Sequence, residues 1–219
     1  MGRGIINLEV LRDNLECLRV EMDAKDQARE QALQISRAIT RSSSIAIKHV
    51  HRGELDEAAA LIEQTRGEVE KVRSATEHNV DLWHAGFVQD ALKEFVEASL
   101  SYAFLCDGNQ PTHQGLGVEA APYLNGLAEA MGELRRSILD CIRHADVARA
   151  ESLLEIMDEV YYLLLTFDYP EAMTLGLRRR VDQLRGILER TRGDVTLSLQ
   201  SNRLAQALKS SEAGIDDGT

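Results

Sequence analysis

The stretch Asp90-Ala-Leu-Lys-Glu-Phe-Val-Glu-Ala-Ser-Leu100 decides the fold. Val88, Leu92, Phe95, Val96, Ser99 and Ala103 recur at steps of three and four, the period of an α-helix with a buried stripe. Glu94 and Glu97 stand three residues apart, which at about 100° per residue puts both carboxylates on one side of that helix. Their side lies roughly opposite the main apolar stripe. A second stretch, Tyr123-Leu-Asn-Gly-Leu-Ala-Glu-Ala-Met-Gly-Glu-Leu134, repeats the arrangement, with Glu129 and Glu133 facing away from Leu127, Met131 and Leu134. Two helices that each offer a carboxylate pair supply the oxygen donors that Mg2+ takes together with substrate phosphates. A solvated acidic face has the same spacing, so spacing alone leaves both readings open.

Outward from these segments the pattern stays helical. A long first helix runs from about Asn7 to Arg52, with Leu8, Leu11, Leu15, Leu18 and Met22 on one stripe and Ile35, Ile39, Ala46, Ile47 and Val50 continuing it. Gly53 ends it, in the position that tolerates a left-handed backbone. A second helix covers Glu54 to about Arg73, and a third begins near Asn79 or Asp81 and ends around Cys106. Asp107 to Gly117 is dense in breakers and reads as a loop. Pro122 fits the first turn of a fourth helix that reaches about His144, and Asp146 caps a fifth. Pro170 opens a sixth that ends near Gly193, and Asp194 caps a seventh that ends near Leu208. The expectation is an all-α bundle of seven helices, one domain over residues 1–209 with a polar tail at 210–219.

The chain has 219 residues, only three of them proline, and 44% are hydrophobic with few aromatics, as suits packed aliphatic helices. Its formal net charge of -11 opposes attachment to nucleic acid by bulk attraction but leaves room for a local basic patch. Arg37, Arg41 and Lys48 fall near one another on the first helix, with Arg52 closing it. Such a stripe can hold phosphates, and cations near a helix C-terminus are also placed favourably for the helix dipole. Cys17, Cys106 and Cys141 are odd in number and form no Cys-x-x-Cys pair, which favours a reducing compartment. With no signal-peptide core at the N-terminus and no membrane-length apolar run, a cytoplasmic protein is expected. The histidines form no metal constellation, and no phosphate loop, dinucleotide fingerprint or nucleophile elbow occurs. An enzymatic reading therefore rests on carboxylates.

Five runs in order carry a resemblance: Lys93-Glu-Phe-Val-Glu-Ala98, Pro122-Tyr-Leu-Asn-Gly126, Gly132-Glu-Leu-Arg-Arg136, Gly176-Leu-Arg178 and Arg190-Thr-Arg-Gly-Asp194. Together they resemble the translin family, and more narrowly translin-associated factor X and its archaeal relatives. The resemblance implies helical subunits assembled as homo-octameric shells. For the factor X branch it implies endoribonuclease activity on single-stranded RNA that depends on Mg2+ (or Mn2+). It makes Glu94, Glu97 and Glu129 the catalytic carboxylates and, with Glu133, the metal ligands. Glu129 stands where factor X carries aspartate, which moves the carboxylate about one methylene outward. Arg37, Arg41, Lys48, Arg52, Arg178 and Arg192 are the candidate contacts to single-stranded RNA or DNA. Two alternatives stay open: a translin-type shell that binds without cleaving, and a helical scaffold that binds proteins through its first helix.

Overall fold

The computed structural model describes residues 8–106 and 108–216, with side chains as far as 208. Among them the regular structure is entirely helical: α1 (Leu8–Arg52), α2 (Leu55–Thr76), α3 (Val80–Trp83), α4 (Gly86–Leu105), α5 (His113–Leu116), α6 (Ala120–Arg143), α7 (Val147–Leu165), α8 (Glu171–Thr174) and α9 (Leu177–Asp216). Residues 1–7 of the expected single domain and 217–219 of the expected polar tail lie outside the described residues, as does Asp107 of the expected loop.

In α1, Ala32, Ser36, Ile39, Ser43, Ala46 and Val50 are buried at alternating steps of four and three. The same register, extended backwards, passes through Leu8, Leu11, Leu15, Leu18 and Met22, all exposed. The C-terminal half of α1 is thus seated in the bundle, while its N-terminal half presents an uncovered apolar stripe. Gly53 takes the expected left-handed conformation, φ +74°. Its N–H donates to the Val50 carbonyl and that of Glu54 to the His49 carbonyl, so two otherwise orphaned carbonyls are capped.

α4 is the central element, packed by α1, α2 and α6, while α6 in turn carries α7 and α9. Val88, Ala91, Leu92, Phe95, Val96, Ala98 and Leu100 are all buried, so α4 meets neighbours on more than the single stripe that its periodicity suggests. The strip it leaves accessible contains Asp90, Lys93, Glu94 and Glu97.

Several expected boundaries differ. The expected sixth helix is broken at Leu175 and Gly176, both with positive φ, into α8 and α9; the expected loop holds α5; and the last helix runs past Leu208 to Asp216. The expected third helix is split into α3 and α4 at Ala85, whose ψ of 143° is extended. The buried Trp83 accounts for the break: its Nε1–H donates to Glu119, Arg73 lies over its ring, and Gln89 donates to its carbonyl. Conversely, the break expected at Gly193-Asp194 is absent, and α9 continues through it. Thr191 and Val195 are buried on either side, and Arg135 of α6 donates to the Thr191 hydroxyl and pairs with Asp194 at 3.0 Å. Packing on α6 outweighs the weak helix propensity of one glycine. Asp146 caps α7 as expected, accepting from the Arg149 N–H. Among the described residues no helix is long and apolar enough to cross a membrane.

Candidate metal centre

The site begins with a close approach of two helices. At Gly126 a Cβ would stand 2.7 Å from the Lys93 carbonyl oxygen and 2.7 Å from the Val96 side chain. Only a residue without a side chain lets α6 lie this near α4. One turn further along α6 comes Glu129, and the approach brings it against Glu94 and Glu97 of α4. Each of the three offers a carboxylate oxygen, and these oxygens lie within 4.8 Å of one another.

Three carboxylates so close repel one another, and burial adds to the cost of their charge. The carboxyl of Glu97 is pushed up to about 8, first by burial, then by the charges of Glu94, Glu129 and Glu133, with Lys93 opposing. The acids are not left to themselves. Lys93 Nζ lies 2.7 Å from Glu129 and 3.2 Å from Glu94, and Arg180 Nε donates to Glu129 at 2.8 Å. Both cations are largely enclosed, with side chains 12% and 15% exposed.

Arg180 is anchored beyond the acids. It also donates to the Asn125 side-chain oxygen at 3.1 Å and to the Leu175 carbonyl at 3.2 Å. Asn125 is fixed in turn by donating to the carbonyls of Ala121 and Thr174. Gly176, with φ +93°, makes room for the guanidinium, because a Cβ there would stand 2.9 Å from an Arg180 nitrogen. Tyr-Leu-Asn-Gly and Gly-Leu-Arg therefore have physical roles: Gly126 sets the helix spacing, while Asn125 and Gly176 hold Arg180 over Glu129.

Glu133 stands apart from the three. Its carboxylate is bonded to Nε2 of His51 at the end of α1 and has Arg136 3.9 Å away. His51 holds the Glu133 carboxyl below its ordinary range despite partial burial. Its charge reaches Glu97, but its oxygens do not join the ligand group, contrary to the expected set of four.

A cavity of about 220 Å3 adjoins Glu97 and Glu129, walled by Gly132, Arg180, Gln183 and Leu184. Its volume exceeds that of several waters. Three clustered oxygen donors beside an opening suit a hard divalent cation, which takes carboxylates and keeps water or phosphate oxygens.

The expected nucleic-acid residues do not gather at the acids. Arg37, Arg41, Lys48 and Arg52 are exposed along α1 and have no ion pair among the described residues. Arg37 and Arg41 edge a shallow depression beside Leu33 and Phe87. Arg178 is exposed beside the segment joining α7 and α8, and Arg192 is paired with Asp158 of α7. Lys93, Arg180 and His51 meet the acids although the sequence placed none of them there, His51 and Arg180 reading only as members of basic clusters. The i,i+4 spacing of Lys93 and Glu97 was the one signal available for the first; for the other two the spacing carried none.

No family model matches the chain. An uncharacterised protein of Methanocaldococcus jannaschii is 31% identical over 210 residues, 95% of this chain and 93% of that one. Among solved structures, AfC3PO in a complex with duplex RNA is 31% identical with a TM-score of 0.79, over 86% of this chain and 97% of that one. The crystal structure of AfC3PO matches equally well. NeC3PO without ligand has a TM-score of 0.72 over 90% of this chain and all of that one, at 18% identity, a likeness of fold alone. On these similarities the chain belongs to the translin family, as a homologue of the translin and factor X complex C3PO.

Proposed function

We propose that this protein binds RNA and hydrolyses its phosphodiester bonds with a divalent cation held by Glu94, Glu97 and Glu129. The observation that carries this reading is the convergence of three carboxylate oxygens from two helices within 4.8 Å, beside an open cavity. When bound, Mg2+ or Mn2+ would supply Lewis acidity at the scissile phosphate and a more acidic water. The protein's own groups do the rest. Glu94, Glu97 and Glu129 place the charge, Gly126 fixes their separation, and Arg180 keeps Glu129 oriented. The exposed cations of α1 supply backbone contacts to the nucleic acid. That a relative, AfC3PO, is found with duplex RNA supports an RNA partner. Single strands are the substrate proposed here.

Assembly into a shell of several copies, eight by family likeness, belongs to the same proposal. It is supported by Leu8, Leu11, Leu15, Leu18 and Met22 on α1 and by Tyr162, Leu163, Leu165, Phe167 and Tyr169, all left exposed by one subunit. A second reading, binding without cleavage, draws on the two cations already seated on Glu129. Incubating labelled single-stranded RNA with purified protein and Mn2+, with and without EDTA, decides between them. Cleavage should require the metal and vanish in Glu97→Gln while RNA binding persists. Binding with no metal-dependent cleavage at any Mn2+ concentration would establish the second reading.

A further inference from the structure

The two cations at the acid group are not equivalent. Arg180 has partners that are not acids, the Asn125 side chain and the Leu175 carbonyl, and Gly176 gives its guanidinium room. It is built into the wall. Lys93, among the described residues, is bonded only to Glu94 and Glu129, two of the three residues whose oxygens converge. Its ammonium ends a flexible four-carbon stem, a point charge with no fixed directional fork. It therefore occupies ligands that a divalent cation would claim. Among the described residues no further hydrogen bond or ion pair holds the ammonium there.

We infer that Lys93 is the built-in counter-ion of the acid group and, once a divalent cation displaces it from Glu129, a further catalytic residue that faces the scissile phosphate. This rests on the metal-dependent nuclease reading. With the cation absent, one ammonium offsets part of the repulsion among three carboxylates and keeps them converged. Glu94, Glu97 and Glu129 would give their oxygens to a divalent cation in preference to one ammonium, because it carries more charge. The ammonium would then be without those partners, while its backbone, packed against Gly126, keeps it beside the same acids. A phosphodiester bound there brings non-bridging oxygens that gain negative charge as the bond to the attacking water oxygen forms and the bond to the leaving ribose oxygen breaks. The attacking water's proton passes to solvent and the leaving ribose oxygen takes one from solvent, while a positioned ammonium lowers the barrier without exchanging a proton.

The inference predicts opposite signs for two measurements, which a purely structural lysine would not give. Lys93→Met keeps the length of the stem and removes the charge. Mn2+ affinity, read by electron paramagnetic resonance on the protein without RNA, should rise at least about threefold because a competing positive charge is gone. Single-turnover cleavage at saturating Mn2+ should fall on the order of 100-fold, with RNA affinity nearly unchanged. Lys93→Gln should behave in the same way. Lys93→Cys should recover cleavage when alkylated to its aminoethyl form, which restores an ammonium, with wild type carried through the same treatment as control. Unchanged or weaker Mn2+ binding in Lys93→Met, or unchanged cleavage, overturns the inference while wild type still binds metal and cuts. A wild type that neither binds Mn2+ nor cuts removes the nuclease reading and the inference together.

Discussion

The carbonyl oxygen of Lys93 lies where it would stand 2.7 Å from any Cβ placed on Gly126. This single approach sets the distance between α4 and α6, and so sets whether Glu129 meets Glu94 and Glu97. Lys93 thus serves the site twice, its backbone fixing the spacing and its side chain bridging the two helices' acids.

The first prediction compares two glycines of α6. Gly126→Ala gains helix propensity but overpacks the helix interface, which typically costs about 1–3 kcal/mol. It should lower the urea midpoint and weaken Mn2+ binding together. Gly132→Ala meets open space, with nothing within 4 Å of the new Cβ, and should stabilise by about 0.5–1 kcal/mol through propensity alone. Equal effects of the two changes on the midpoint would show that helix spacing at Gly126 is not under strain.

The second concerns pH. Glu97 has its folded-state pKa raised from the ordinary 4.5 to about 8. Between those values the folded protein holds a proton that the unfolded chain has released. The stabilisation is full below pH 4.5 and is lost as pH rises through 8, at a slope of at most about 1.4 kcal/mol per unit. In EDTA, the thermal midpoint should fall from pH 6 to 9, and Glu97→Gln should flatten that fall. Added Mn2+ should reverse it, because metal binding favours the ionised carboxylate. A midpoint that climbs with pH in EDTA would return Glu97 to an ordinary carboxylate.

The third concerns the α1 stripe. Replacing Arg37, Arg41 and Lys48 together by alanine should weaken RNA binding. On a single strand it should also reduce the salt slope by about 0.7 for each phosphate that these cations neutralise in the wild type. Nitrocellulose binding across a salt series reads both. If affinity and slope stay put, the RNA path lies elsewhere, with Arg178 the next cation to replace.

The fourth concerns assembly. Tyr162, Leu163, Leu165, Phe167 and Tyr169 are exposed around the end of α7, and burying such side chains is worth roughly 1.5–3 kcal/mol each. Leu163→Asp with Phe167→Asp should shift the mass seen by light scattering toward smaller species at micromolar concentration. A wild-type monomer under those conditions would leave this face uncovered and remove the shell from the proposal.

What the sequence determined by itself is what depends on near neighbours. The step of three and four residues made the chain helical and α1 long. The glycine at 53 placed the end of α1, since a left-handed turn needs no distant partner, and Asp146 marked the start of α7 by capping its own first turn. That Glu94 and Glu97 share a side follows from helix geometry alone. Tertiary structure decided the remainder. Whether Gly193 breaks a helix depended on Arg135 and Asp194 meeting across two helices. Trp83 ended α3 by reaching Glu119, thirty-six residues on. Glu129 joined the acids, while Glu133, one helical turn later on the same helix, was taken by His51 of α1. Carboxylates four residues apart look alike in a sequence. Their roles separate only when packing gives one of them two other acids and the other a histidine, because charge interactions are set by distance through space.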